Sequence, residues 1–178
     1  MTRAVLSIGS NLGDRAAHLR NAVTALGDFV MAVSGVYETP AWGGPGPDGT
    51  EAPPYLNAVV LVVDAGEDPY AWLARARELE SAAGRTRDPA WRFAPRTLDV
   101  DVITVWTADG AALISDDPEL VLPHPRAHQR AFVLRPWLDI QPYAQLPGHG
   151  WVYDLVRISP IADDLPNVRP CAELSLEP

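Results

Sequence analysis

The order of elements along this 178-residue chain predicts an α+β sandwich: an antiparallel-rich sheet with helices on one face and the other face open. Three observations carry that prediction. Runs rich in Val, Leu and Ile recur at "RAVLSIGSN", "YLNAVVLVVD" and "TLDVDVI"; two segments between them keep helical spacing; and Gly, Pro, Ser, Asn or Asp marks the junctions. The length suits one buried core, so a single domain is expected over residues 1–178, with residues from about 161 to 178 as an acidic, Pro-containing tail.

The first strand stops at Gly9, Ser10 and Asn11. A helix should follow, with Asp14 as N-cap and Leu19, Ala22, Val23, Leu26 and Val30 at the i, i+3, i+4, i+7 spacing of a core-facing stripe. Residues 31–39 turn strand-like. Composition then changes: from Pro40 to Pro54 the chain reads "PAWGGPGPDGTEAPP", with Gly or Pro at nine of fifteen positions. So long a stretch without helix or strand is usually a functional loop, and Trp42 within it points the same way. After the next strand, Asp68-Pro69 starts a helix with Trp72, Ala76, Leu79 and Ala83 on its buried stripe, and Gly84 suits the C′ position. A basic, irregular stretch, "GRTRDPAWRFAPR", leads into the third strand. Strand, helix, strand, occurring twice, is the ferredoxin-like split β-α-β arrangement. Beyond it, a Pro-punctuated segment and a short helix from about Arg126 are expected.

A net charge of −9 argues against a general binder of nucleic acid or anionic membrane, because such proteins gain affinity from a positive field. An anionic ligand must therefore be met locally. All 14 basic residues are Arg, so a Lys-dependent phosphate loop or Schiff base is excluded, while the planar Arg fork remains well suited to phosphate. Cys171 has no second cysteine to pair with, which fits a reducing compartment and rules out a disulfide framework. The apolar run Ala4 to Ile8 is too short for a signal core or a membrane span. A cytoplasmic protein is expected.

The chemistry collects on the third strand. Asp suits strands poorly, yet Asp99 and Asp101 stand among Leu98, Val100, Val102 and Ile103. Side chains alternate, so Leu98, Val100 and Val102 point into a core while the two acids share the opposite face. A wet strand face explains that pattern blandly. Tyr55 and Asn57 repeat the i, i+2 spacing on the preceding strand, where a ring beside an amide can stack on a flat heterocycle and read its edge. Arg85, Arg87, Arg92 and Arg96 bracket the acids, and Glu80 lies close enough to orient one of them. Paired carboxylates hold Mg²⁺, and Arg forks neutralise the remaining phosphate charge during transfer. His124, between two Pro residues, can donate a ring N–H to phosphate. "GSNLGDR" lacks the ending of a Walker A loop and reads as a turn and cap supporting the site.

"IGSNLGDR", "YETPAWG", "YLNAVV", "GRTR", "APRTLDVDVI" and "LPHPRAHQRAFVLRPW" together resemble the 6-hydroxymethyl-7,8-dihydropterin pyrophosphokinase family of folate biosynthesis, over Ile8 to Trp137. The resemblance implies a ferredoxin-like fold and transfer of diphosphate from ATP to the pterin hydroxymethyl group, with AMP released. It implies two Mg²⁺ ions on Asp99 and Asp101, and catalytic roles for Arg85 and Arg96. Thr39, Pro40, Trp42, Gly43, Tyr55, Asn57 and Phe132 would meet the pterin, with Tyr55 and Phe132 sandwiching its ring. Glu80, Arg85, Arg87, Arg96, Val102, His124 and Arg130 would meet ATP. The Gly/Pro-rich and Arg-rich loops would close over both substrates, and a monomer is expected. The chain departs from the family pattern at Phe93-Ala94 and at Pro125. An RNA-binding module on the same fold is disfavoured by the acidic strand face, and a related transfer to another hydroxymethyl heterocycle is the nearest alternative.

Overall fold

The structure, a computed structural model, describes residues 1–66, 68–86 and 88–177. The first half follows the predicted order: β1 (Thr2–Ser10), α1 (Arg15–Leu26), β2 (Val30–Val33), β3 (Tyr37–Thr39), β4 (Tyr55–Asp64), α2 (Tyr70–Ala82) and β5 (Asp99–Thr107). β1 lies between β4 and β5 and is antiparallel to both, while β2 and β3 share the far edge of β4. The predicted strand over residues 31–39 is thus two strands. They part at Ser34, whose N–H donates to the Val59 carbonyl at 2.9 Å while its hydroxyl accepts the Val59 N–H at 2.8 Å.

Helix boundaries follow local chemistry. The Asp14 carboxylate accepts the Ala17 N–H at 3.0 Å, and Gly84 takes a φ of +70° just past the end of α2, where a side chain would be strained. Asp68 Oδ1 accepts the Tyr70 N–H at 2.9 Å, so it caps α2 across Pro69. Leu19, Ala22, Val23 and Leu26 of α1, with Trp72, Ala76 and Leu79 of α2, bury against Leu6 and Ile8, Val60 and Val62, and Val100 and Val102. Each large side chain so buried stabilises the fold by roughly 1.5–3 kcal/mol before entropy is counted.

The other sheet face is open over only half its length, which narrows the expectation of an open face. β6 (Ser115–Asp117) and β7 (Leu120–Leu122) form a hairpin, and α3 (Ala131–Ile140) then lies across the sheet. α3 starts five residues later than expected from Arg126, because Ala127–Gln129 forms a 3₁₀ turn first. The short hairpin of β8 (Gln145–Leu146) and β9 (Gly150–Trp151), with α4 (Val152–Leu155) and α5 (Ile161–Asp164), completes this second layer. Val133, Leu134 and Trp137 of α3 pack on Val5, Val59, Leu61 and Ile103. The tail is built into the sheet: β10 (Arg169–Pro170) pairs with β3, the Cys171 N–H donates to the Val36 carbonyl at 2.8 Å, and Leu176 reaches the first core. Among the described residues, no helix is long and apolar enough to cross a membrane.

Candidate active site

The uncovered half of the second face is a patch of rows set by strand register. Asp101 lies opposite Ser7, which lies opposite Val59; Asp99 lies opposite Gly9, which lies opposite Asn57. Tyr55 stands one row further out, across from Thr39. Gly9 is the floor: a Cβ there would come within 3.0 Å of Asn57 Oδ1 and 3.3 Å of the Tyr55 ring. Past the acids, β5 carries a bulge, Ile103 being the extra residue between the pairs Leu6–Val102 and Val5–Thr104. The Ile103 carbonyl accepts the His124 N–H at 2.7 Å. The bulge therefore docks the His124 segment beside the acids, a common use of such irregularities.

Three guanidiniums meet the two carboxylates. Arg85 and Arg96 lie 2.8 and 2.9 Å from Asp99 Oδ1, and Arg130 lies 2.7 Å from Asp101 Oδ2. Arg85 also pairs with Glu80, whose Oε1 accepts the Val100 N–H at 2.9 Å. Glu80 thus pins the strand between the acids while it orients an Arg. Burial pushes the Asp99 carboxyl above its ordinary value, the Asp101 charge adds to the push, and Arg96 and Arg85 oppose it. Burial likewise raises Glu80, against the pull of the Val100 N–H and Arg85.

His124 Nδ1 accepts the Arg126 N–H at 3.1 Å, so the neutral ring carries its proton on Nε2, 3.8 Å from Asp101 Oδ2. Burial lowers the His124 pKa, Asp101 notwithstanding, which keeps the ring a neutral donor. Asn57 Nδ2 donates to Thr39 Oγ1 at 2.8 Å, which fixes the amide and leaves its other hydrogen free. The Arg130 guanidinium sits 6.0 Å from the Trp42 ring centre and 5.5 Å from that of Phe132, linking the aromatic wall to the charged one.

These groups line one cavity of about 660 Å³. Thr39, Pro40, Trp42, Tyr55, Asn57, Glu80, Arg85, Arg96, Asp99, Asp101, His124, Arg130 and Phe132, all expected from the sequence, face it together. Val102 does not: it is 6 % exposed in the core beneath α1 and α2, because strand alternation sends residues 98, 100 and 102 to that side. Gly43 sits behind the wall, where its φ of +96° and the Phe93 ring leave no room for a side chain. Arg87 lies outside the described residues. Outside the 86–94 loop, the sequence reading missed Ser7, Gly9, Val100 and Arg126 as lining residues; the i, i+2 spacing of Ser7 and Gly9 matches that of the acids but signals nothing without the register. Arg126 has no carboxylate partner among the described residues, and burial with Arg130 and Arg92 nearby lowers its pKa. The two loops touch above the cavity, at Gly43 with Phe93 and at Gly46, where a Cβ would come within 2.8 Å of Trp91.

Carboxylates paired on a sheet face beneath guanidinium forks, beside an aromatic wall, suit a transferase of phosphoryl groups between small molecules. The chain belongs to the 7,8-dihydro-6-hydroxymethylpterin-pyrophosphokinase (HPPK) family of diphosphotransferases, which it matches over residues 5–142. It is 46% identical over 162 residues to the 2-amino-4-hydroxy-6-hydroxymethyldihydropteridine pyrophosphokinase of Mycobacterium tuberculosis, covering 89% of this chain and 82% of that one. The Mycobacterium leprae enzyme of the same name is 52% identical over 151 residues, covering 82% and 75%, and that of Bacillus subtilis 32% over 141 residues, covering 77% of each. Among solved structures, a Plasmodium falciparum HPPK-DHPS triple mutant with STZ-DHP shares the fold at a TM-score of 0.64 and 11% identity, covering 95% of this chain and 46% of that one. An HPPK-DHPS in complex with substrates gives 0.60 and 12%, covering 86% and 42%; this chain spans under half the length of those solved chains.

Proposed function

We infer that this chain transfers the β,γ-diphosphate of ATP to the hydroxymethyl oxygen of 6-hydroxymethyl-7,8-dihydropterin, releasing AMP, in tetrahydrofolate biosynthesis. One observation carries the reading: a wall suited to a flat heterocycle (Tyr55, Asn57, Phe132) and a wall suited to a polyphosphate (Arg85, Arg96, Arg130, His124) share a single cavity over Asp99 and Asp101. Tyr55 and Phe132 stack on the pterin, Asn57 reads its edge, and Thr39, Pro40, Trp42 and Gly43 close that end. His124 Nε2–H and Arg130 bind the triphosphate.

The donor set fits Mg²⁺: two hard carboxylates on one face, with the rest of the shell left to water and substrate phosphate oxygens. Asp99 and Asp101 would hold it, as two ions in this reading. When bound, the metal polarises the phosphates and offsets their charge. Arg85, held by Glu80 and Asp99, and Arg96, held by the same Asp99, present their forks to the transferring group, so positioning and neutralisation perform the transfer. The loops that meet through Gly43–Phe93 and Gly46–Trp91 exclude water from it. The enzyme is taken to be a single-domain monomer of the cytoplasm, a setting that suits the lone Cys171 thiol.

A coupled assay that distinguishes AMP from ADP, run with and without the dihydropterin, tests the reading. AMP formed only with the dihydropterin is expected; ADP, or AMP with another hydroxymethyl heterocycle alone, would overturn it.

A further inference from the structure

Asn11 follows β1 directly and is 1 % exposed, yet the site described above gives it no task. Its three hydrogen bonds run to two different loops. Its backbone N–H donates to the Arg96 carbonyl at 3.1 Å, its Oδ1 accepts the Arg96 N–H at 2.7 Å, and its Nδ2 donates to the Pro53 carbonyl at 2.9 Å. The partners fix the amide orientation, since Oδ1 faces a donor and Nδ2 an acceptor. Arg96 is the residue whose guanidinium meets Asp99 and, through Nη2, the Arg92 carbonyl at 2.9 Å. Pro53 is the exit of the Gly/Pro-rich stretch, two residues before Tyr55. β1 itself is held on both sides by β4 and β5, so Asn11 extends directly from an interior strand of the sheet.

We propose that Asn11 is a positioning residue: one buried amide ties the Arg-rich loop and the Gly/Pro-rich loop to β1, so that Arg96 and Tyr55 reach the cavity in a fixed relation. This inference deepens the function proposed above and rests on it. The two arms are chemically separable. Asp at this position keeps an oxygen for the Arg96 N–H but sets a second oxygen against the Pro53 carbonyl; Ala removes both side-chain arms. The Pro53 arm has a neighbour, because Arg15 Nη1 donates to the Pro54 carbonyl at 2.9 Å, so the exit of that loop is loosened rather than freed.

The test compares wild type, Asn11→Ala and Asn11→Asp in the AMP-forming assay and in amide hydrogen exchange. Asn11→Ala should lower kcat at least about tenfold, the scale of losing two hydrogen bonds between buried groups, and raise exchange both at Arg96 and just before Tyr55. Asn11→Asp should restore protection at Arg96 and bring kcat back to within about threefold, yet leave the pterin KM about fivefold high and the ATP KM within about twofold of wild type. If both variants lowered the melting temperature while kcat and both KM values held, or if Asp loosened both arms as Ala does, the tether would be overturned. A wild-type enzyme that formed no AMP would overturn the functional reading instead, and the exchange data would still decide the tether.

Discussion

The two halves of the sheet face opposite α1 and α2 are made by the same three strands and share no chemistry. In one half Val5, Val59, Leu61 and Ile103 lie under Trp137 of α3, dry and closely packed. In the other, Ser7, Gly9, Asn57, Asp99 and Asp101 face a cavity with guanidiniums across it. The boundary falls within a single step of each strand: Val5 to Ser7, Val59 to Asn57, Ile103 to Asp101. An apolar half anchors a polar half in which the acids are held by backbone pairing and by Arg partners. That separates stability from turnover in space, and the separation can be tested.

Asp101→Ala and Asp99→Ala should show the largest effect, a loss of turnover of roughly three orders of magnitude, the scale of removing a site's central electrostatic groups. Circular dichroism and melting should change little, and a variant that unfolded instead would erase the distinction between the halves. Trp137→Ala should do the reverse. Emptying that fully buried site should cost about 3–5 kcal/mol in urea denaturation, while AMP formation per folded molecule stays near wild type. Gly9→Ala sits nearer the boundary, where the new methyl meets Asn57 Oδ1 and the Tyr55 ring. We expect pterin affinity by calorimetry to weaken about fivefold, near 1 kcal/mol, with ATP affinity unchanged.

The smallest effect concerns pH. The folded-state pKa of Glu80 is raised, chiefly by burial, so the folded state holds its proton more tightly than the unfolded one. By linkage, wild type loses stability from this group as pH rises through the window between the ordinary carboxylate value and the raised one. Glu80→Gln has no such loss. Its stability relative to wild type should therefore climb across that window, measured as urea midpoints from pH 4 upward; a constant difference would mean that Glu80 ionises as freely in the fold as in solution.

Much of this was legible in the residues. Alternation along "TLDVDVI" separated the acids from Leu98, Val100 and Val102, and helical spacing identified the buried stripes of α1 and α2, because both patterns are local. The covered half of the second face was not legible. α3 has a legible apolar side, opposite Arg135 and Asp139, but nothing local says which face of the sheet that side covers. Residues 103–106 read "ITVW", apolar at three of four positions, which hides the bulge that redirects the end of β5. β10 was hidden for another reason: Arg169-Pro170 carries no strand signal, and Pro is tolerated there only because the pair lies at an edge. Val102 was placed at the site by family resemblance although its parity already assigned it to the core.

A seal made of an aromatic ring against bare backbone has a side chain on one side only. Gly43 and Gly46 have no side chain to retract, so any molecule passing that seam must swing the phenyl of Phe93 and the indole of Trp91 aside, or lift the whole glycine ribbon. The indole is thereby a native optical gauge of the entrance. Trp91 is one of six tryptophans, so the part of the emission that Trp91→Phe removes should report each opening without an added dye, and a ligand bearing one small apolar prong beneath Gly46 would act as a doorstop.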